Sequence, residues 1–314
     1  MVNLKTKIGE LILKNPIMPA SGTFSEDLAE VLDLNKLGAH VTKTITEEKR
    51  CGNPSPRVCE VSGSMLNSIG IPSKGIEYFI DTVIPFYSQY NVPLIVSISA
   101  QTSDGFARIC ERVSVPGVDA IEVNISCPNI EEDGKAFAMR PSTTQSVMTK
   151  LRSATDLPLW AKLSPNTGET IEVAMAAEES GADALVVSNT MLSMAIDIHS
   201  RKPKLGNLMG GLSGPSLKPI ALRMAYQCAK SVSIPIIGCG GISTVEDIIE
   251  YLIAGATAIQ VGTATFINPN AMVTLLADLE NFLQKQNIQN ISDLIGSVRD
   301  EDATDDVVFM ETAP

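Results

Sequence analysis

Histidine, aromatic side chains and basic clusters are all scarce in this chain of 314 residues. His40 and His199 are the only histidines, which leaves little support for the common imidazole proton chemistry. Aromatic residues make up 4%, with one tryptophan, Trp160. Lys and Arg number 24 against 36 Asp and Glu, a formal net charge of -12. No stretch carries the basic cluster that phosphate-backbone binding needs, so nucleic acid is excluded as the expected partner. No run of about 18 apolar residues occurs, and the opening MVNLKTKIGELILKNP lacks the apolar core and cleavage site of a signal peptide. The expectation is a cytoplasmic protein with no membrane span. The six cysteines, Cys51, Cys59, Cys110, Cys127, Cys228 and Cys239, form no CxxC pair and no Cys/His cluster. That speaks against structural zinc, against any metal site, and against an iron–sulfur cluster held by this chain alone.

What the chain does have is apolar content, 44% against 19% charged, which excludes wholesale disorder. Its length permits two ordinary domains or one large barrel. Short apolar segments recur at 17–20, 40–44, 94–98, 120–125, 159–163, 184–188, 235–238 and 258–261. Each is followed by a Gly/Pro/Ser/Asn-rich turn and then a helical pattern, at 26–32, 75–89, 104–113, 142–154, 167–180, 216–231, 245–253 and 270–283. Eight strands alternating with eight helices predict an α/β fold, a (β/α)8 or TIM barrel. A doubly wound open sheet shares the alternation, but it gathers chemistry at one crevice, whereas here polar candidates follow nearly every strand. Residues 4–15 read as a small N-terminal hairpin that could plug the barrel bottom, and 299–314 as an acidic, solvated tail. Two long loops, 47–74 and 189–215, belong at the C-terminal face, where loops of that length are functional or disordered. The whole of 1–314 is expected to be one domain.

The last two strands end in IIGCGGIST and AIQVGTATF. In a barrel these loops form a phosphate site, with Gly240 and Gly241 admitting a close backbone approach and the N–H groups of Gly262 and Thr263 facing the anion. The plainer reading is that these glycines only make tight turns. Cys127, in EVNISCPNIEEDG, sits just past the fourth strand and is the reactive candidate, whereas Cys59, Cys110, Cys228 and Cys239 read as small buried hydrophobes. Lys43 in VTKTIT and Lys162 in WAKLSPN would each be costly in an apolar run without an anion, so each is expected to face the mouth and neutralise a ligand. His40 reads as packing. Asn67, Asn124, Asn129 and Asn189, with Thr190, all follow strands, and amides suit a planar heterocycle with alternating C=O and N–H groups.

Together with GNPSPRV, MLNSIGIPSKG, SNTMLSMAID and GGLSGPSLKPIALR, these segments resemble the flavin-dependent dihydroorotate dehydrogenases of pyrimidine synthesis, from Asn15 to about Pro269. NISCPN alone also fits the dihydropyrimidine dehydrogenases, which would act on uracil or thymine; the ordered set is more specific. A cysteine at 127 and no amphipathic extension resemble the first class, and SNTMLSMAIDIHSRKPKLGNLMGGLSGPSLKPIA resembles its NAD-linked subclass more than the fumarate-linked homodimers. The resemblance implies one FMN per chain, with its phosphate at Gly240, Gly241, Gly262 and Thr263. Lys43, Thr44, Asn124 and Lys162 would lie near its ring, and Ser21, Ser97, Ser188 and Gly214 would line it. It implies Cys127 as catalytic base, and Lys43, Asn67, Ser68, Ile69, Gly70, Ile71, Asn124, Asn129, Asn189 and Thr190 as substrate contacts. It also implies a homodimer core joined by a second subunit that carries FAD and a [2Fe-2S] cluster, a heterotetramer. A barrel that binds a phosphorylated ligand without redox work is the alternative of a different class, and it would leave the lysines and Cys127 idle.

Overall fold

The computed structural model describes residues 2–126 and 136–299. Eight strands form one sheet: β1 (Ile17–Pro19), β2 (His40–Val41), β3 (Leu94–Ile98), β4 (Ala120–Val123), β5 (Leu159–Lys162), β6 (Ala184–Val187), β7 (Ile236–Cys239) and β8 (Ala256–Val261). Their order is β1-β8-β7-β6-β5-β4-β3-β2, and every pairing is parallel. The ring is nearly closed: β1 and β2 share no ladder, but the Gly38 N–H donates to Ile17 O at 2.8 Å. A Cβ on Gly38 would come 2.1 Å from Asn15 O, so only glycine lets the chain pass there. This is the (β/α)8 barrel. The second strand is shorter than its sequence pattern, because the backbone leaves the ladder after Val41 and rejoins β3 only through the Ile45–Ile98 bridge.

Each strand buries both faces, as parallel sheets do. Outward residues such as Val96, Ile121, Leu185 and Ile259 pack under the helices. Inward residues Met18, Val41, Ile95, Ala120, Trp160, Val186, Ile237 and Ala258 fill the bore together with Ile8 and Leu13. Those last two come from an antiparallel hairpin, Thr6–Ile8 with Leu11–Leu13, which stoppers the lower end of the barrel.

The outer layer holds α1, made of the contiguous pieces Ile76–Tyr78, Phe79–Val83 and Ile84–Tyr87, then α2 (Ser103–Val113), α3 (Pro141–Ala154), α4 (Thr170–Glu179), α5 (Lys218–Ser231), α6 (Val245–Ile253) and α7 (Ala271–Lys285). The middle piece of α1 is π-helical just before Pro85, whose missing N–H removes one rung of the α ladder. Thr102 caps α2 by accepting from Gly105 N, and Thr244 and Asp247 form a capping box at α6. The helix expected at 26–32 is a 3-10 turn, Glu26–Glu30. His40 is packing, as expected: it lies among Phe24, Tyr87 and Tyr90, and its Nε2 donates to Leu34 O at 3.0 Å.

The two long loops form a four-stranded antiparallel sheet, in the order Met191–Ser193, Gly210–Ser213, Ser64–Asn67, Val58–Val61. Ser62 and Gly63, both at positive φ, make the two-residue turn between the last two strands. The fold thus supplies a second layer of regular structure where the sequence showed only loop. Residues 300–314 of the acidic tail lie outside the described residues.

Candidate active site

At the C-terminal end of the bore the inward positions turn polar. Glu122 of β4 lies 3.6 Å from the Lys162 ammonium of β5, and both are buried. Gln260 of β8 ties them together: its Nε2 donates to Glu122 Oε2 at 2.6 Å, and its Oε1 accepts from Lys162 Nζ at 3.0 Å. Lys162 also donates to Ser21 Oγ at 3.3 Å, and Ser97 Oγ donates to Glu122 Oε1 at 3.0 Å. Thr44 Oγ1 lies 2.9 Å from Ser97 Oγ and, with that hydroxyl proton already given to Glu122, is the donor between them. Lys162 was expected to need an anionic ligand; its first anionic partner is Glu122 of the protein itself. A buried charge must be paired, and here the pair is internal. Lys43 differs, for its side chain is exposed at the exit of β2. Cys239 ends β7 against this network; burial pushes its thiol up, Lys162 opposes that and Glu122 adds to it. Cys110 and Cys228 are also buried, and burial pushes both thiols up to about 12. Cys59 is not: it is half-buried in the sheet of the long loops.

Above this layer sits a cluster of amides. Asn124 Oδ1 accepts from Ser126 Oγ at 2.6 Å and from Asn189 Nδ2 at 3.2 Å, and Asn189 also bonds Ser126. Asn189 Oδ1 accepts from Thr190 N at 2.8 Å. Asn166 Nδ2 donates to Thr190 O at 3.2 Å, and its Oδ1 accepts from Leu192 N at 2.7 Å. Asn67 Nδ2 donates to Gly211 O at 3.1 Å, and Gly211 packs so tightly on Thr190 that a Cβ would come 2.0 Å from its hydroxyl. Asn67, Asn124, Asn189 and Thr190 are therefore one connected group. Ser68, Ile69, Gly70 and Ile71 continue from Asn67, all half-buried. Ser68 Oγ accepts from Asn53 and Asn207, and Ile71 holds φ at 48°, a left-handed value unusual for a β-branched residue. Cys127 and Asn129 lie outside the described residues.

The third part is the pair of glycine loops. Gly240 and Gly241 have φ of 137° and 72°. A Cβ on Gly240 would come 2.8 Å from Ala221 Cβ, and one on Gly241 2.6 Å from Lys218 N, so packing against α5 by itself requires glycine at both. The backbone N–H groups of Gly240, Gly241, Gly262 and Thr263 donate to no atom of a described residue. Gly214, at φ 96°, lies against Ser64, and Ser188 N donates to Cys239 O at 2.7 Å. The Oγ of Ser213 and the Oγ1 of Thr265 are buried without partners among the described residues.

The dihydroorotate dehydrogenase family model matches residues 3–283. The chain belongs to the dihydroorotate dehydrogenase family. Among its relatives is a protein of Trichlorobacter lovleyi named dihydroorotate dehydrogenase B (NAD(+)), catalytic subunit, 46% identical over 298 residues, 94% of this chain and 98% of that protein. Proteins of the same name from Alkaliphilus oremlandii and Desulforudis audaxviator are each 45% identical, covering 94% of this chain and 99% and 97% of their own.

Within this family member the sequence reading missed Glu122, Gln260, Ser126 and Asn166. Glu122 and Gln260 carried a readable signal, since each is a polar residue two places after an inward alanine in an apolar strand. Asn166 carried none, because SPN reads as an ordinary turn.

Proposed function

We propose that the chain is the FMN-bearing subunit that oxidises (S)-dihydroorotate to orotate in pyrimidine synthesis, with electrons passing through a partner subunit to NAD. The observation that carries this reading is the stacking at one barrel mouth of a charged layer, an amide cluster and backbone N–H groups that have no acceptor among the described residues, in a chain of this family. Lys162 and its Glu122 and Gln260 partners form a polar floor for a flat, polar ring. The N–H groups of Gly240, Gly241, Gly262 and Thr263 fit a phosphate, and Gly262 leaves room, since a Cβ there would meet only Ala20 at 3.5 Å and Thr23 at 3.8 Å. These fit FMN, with Ser21, Lys43, Thr44, Ser97, Asn124, Ser188 and Gly214 around it.

Bound FMN supplies the acceptor for the hydride that leaves C6 of dihydroorotate. Cys127 is assigned the proton from C5; a thiol, with a reference pKa of about 8.5, provides a usable thiolate fraction near neutral pH. Asn67, Asn124, Asn129, Asn189 and Thr190 hold the pyrimidine, each amide offering donor and acceptor edges to its alternating C=O and N–H groups. Lys43, exposed at the rim, faces the carboxylate, and the segment 68–71 closes the edge of the pocket. FAD and [2Fe-2S] belong to the partner. Exposed Leu192, Met194, Ile196, Ile198, Leu208 and Met209 offer an apolar face for the assembly, a homodimer core within a heterotetramer. No helix among the described residues is long and apolar enough to cross a membrane, and the proposed location is the cytoplasm.

The purified chain is expected to be yellow and to be bleached by dihydroorotate without oxygen. Cys127→Ser is expected to slow the bleaching at neutral pH by roughly 100-fold or more, the usual scale of a general base. Colourless protein that takes up no FMN defeats the reading. NAD reduction is expected only with the partner present; rapid fumarate reduction by the chain alone would move it to the fumarate-linked subclass.

A further inference from the structure

We infer that one face of α6, carrying Asp247 and Tyr251, sets the shape of the loop 240–244 and thereby the affinity of the site for the phosphate of FMN. The inference rests on the phosphate assignment above and adds two residues that do not themselves touch the ligand. They lie four apart on the helix and so share a face.

Tyr251 holds the start of the loop. Its hydroxyl donates to Gly240 O at 2.8 Å, and its buried ring fills the space beside Gly238, where a Cβ would come 2.5 Å from Cδ1. In a trans peptide the C=O and the next N–H point in opposite directions. Drawing the Gly240 carbonyl toward α6 therefore turns the Gly241 N–H away from α6. That N–H has no acceptor among the described residues, which is how a donor reserved for an anion stands.

Asp247 holds the other end. Its Oδ2 accepts from Ser243 N at 2.8 Å, Thr244 N at 2.9 Å and Ser243 Oγ at 3.2 Å. Its Oδ1 accepts from Lys218 Nζ at 2.7 Å, and Lys218 also reaches Glu250 at 3.0 Å. Lys218 opens α5, the helix against which Gly241 packs. The loop is thus held at both ends from α6 and braced against α5. Held this way, its donors need no rearrangement when an anion arrives, and preorganisation of that kind appears as affinity. Capping of α6 by Asp247 explains part of this geometry, but it gives no account of the Tyr251 bond to Gly240.

Riboflavin, which lacks the phosphate, separates positioning from general support. The full chain stripped of flavin would be titrated with FMN and with riboflavin by fluorescence quenching, as wild type, Tyr251→Phe and Asp247→Asn, with thermal melting of each. Tyr251→Phe keeps the ring and removes one hydrogen bond; it is expected to weaken FMN about tenfold, or ~1.4 kcal/mol, and riboflavin by less than about twofold. Asp247→Asn is expected to act in the same direction. Equal losses for both flavins, or unchanged FMN affinity in a folded Tyr251→Phe protein, overturn the inference while leaving the phosphate assignment standing. A wild type that binds both flavins equally well overturns the phosphate assignment and the inference with it.

Discussion

On four strands only two residues separate the apolar floor of the bore from its polar ceiling: Ile95 is followed on the same face by Ser97, Ala120 by Glu122, Trp160 by Lys162 and Ala258 by Gln260. The floor mixes bulk and room. Trp160, Met18, Ile95 and Val186 fill it, small Ala39, Ala120, Ala184 and Ala258 make space, and the hairpin adds Ile8 and Leu13 from below. It needs only matching shapes, because dispersion and burial have no direction. The ceiling obeys another rule. Every buried polar group there needs a partner at a set distance, and six segments supply them through Ser21, Thr44, Ser97, Glu122, Lys162 and Gln260. The difference teaches where tolerance ends: the floor can be repacked, whereas the ceiling fails if one member is removed.

The largest expected effect attacks the ceiling. Glu122→Ala leaves the Lys162 ammonium buried without its carboxylate and should cost roughly 3–5 kcal/mol in urea unfolding. Replacing the pair together, Glu122→Leu with Lys162→Met, should recover most of that stability and abolish flavin binding; recovery of both would erase the contrast between the layers. On the floor, Leu13→Ala should cost about 2–4 kcal/mol, with flavin affinity in the surviving folded protein unchanged. A parallel loss of flavin affinity would show that the hairpin governs the mouth as well.

Outside the bore, His40 tests burial without a charged partner. Burial holds its imidazole down to about 4, despite a Leu34 carbonyl that favours the charged form, and Lys14 adds to the depression. The unfolded chain takes up this proton near the ordinary 6.5 and the folded chain only near 4, so the contribution is complete above pH 6.5 and is lost as pH falls toward 4. The span amounts to roughly 3 kcal/mol. Denaturation of wild type and His40→Phe at pH 7 and pH 4.5 checks it, and equal pH slopes in the two proteins would refute it. The smallest effect belongs to the exposed pair Lys7–Glu10 at the tip of the hairpin, where Lys7→Ala should change stability by less than about 0.5 kcal/mol.

Much of the barrel was legible because its repeat is local. All eight strands are written as apolar runs such as LIVSI and AIEV, and the turn after each is written in Gly, Pro, Ser and Asn. The sheet of the long loops was not, since its pairing joins residues 64–67 to 210–213, and no local pattern encodes a partner so far along the chain. Its one local signal, Ser62-Gly63 between the alternating VCEV and SMLN, went unread. Asn67, Asn124 and Asn189 were legible as strand-end polar residues, but the joining of Asn67 to the other two depends on the contact of Gly211 with Thr190. Lys162 is legible as a lysine that needs an anion, but the anion the structure sets beside it is Glu122, one strand away.

The sequence by itself determined the period of the strands, the placement of polar residues at their C-terminal ends and the family to which they belong, because these are properties of residues near one another in the chain. Only the tertiary structure decided which polar group answers which. Partners for Lys162, for the Gly240 carbonyl and for Asn67 come from 40, 11 and 144 residues away, and only the folded chain brings them together.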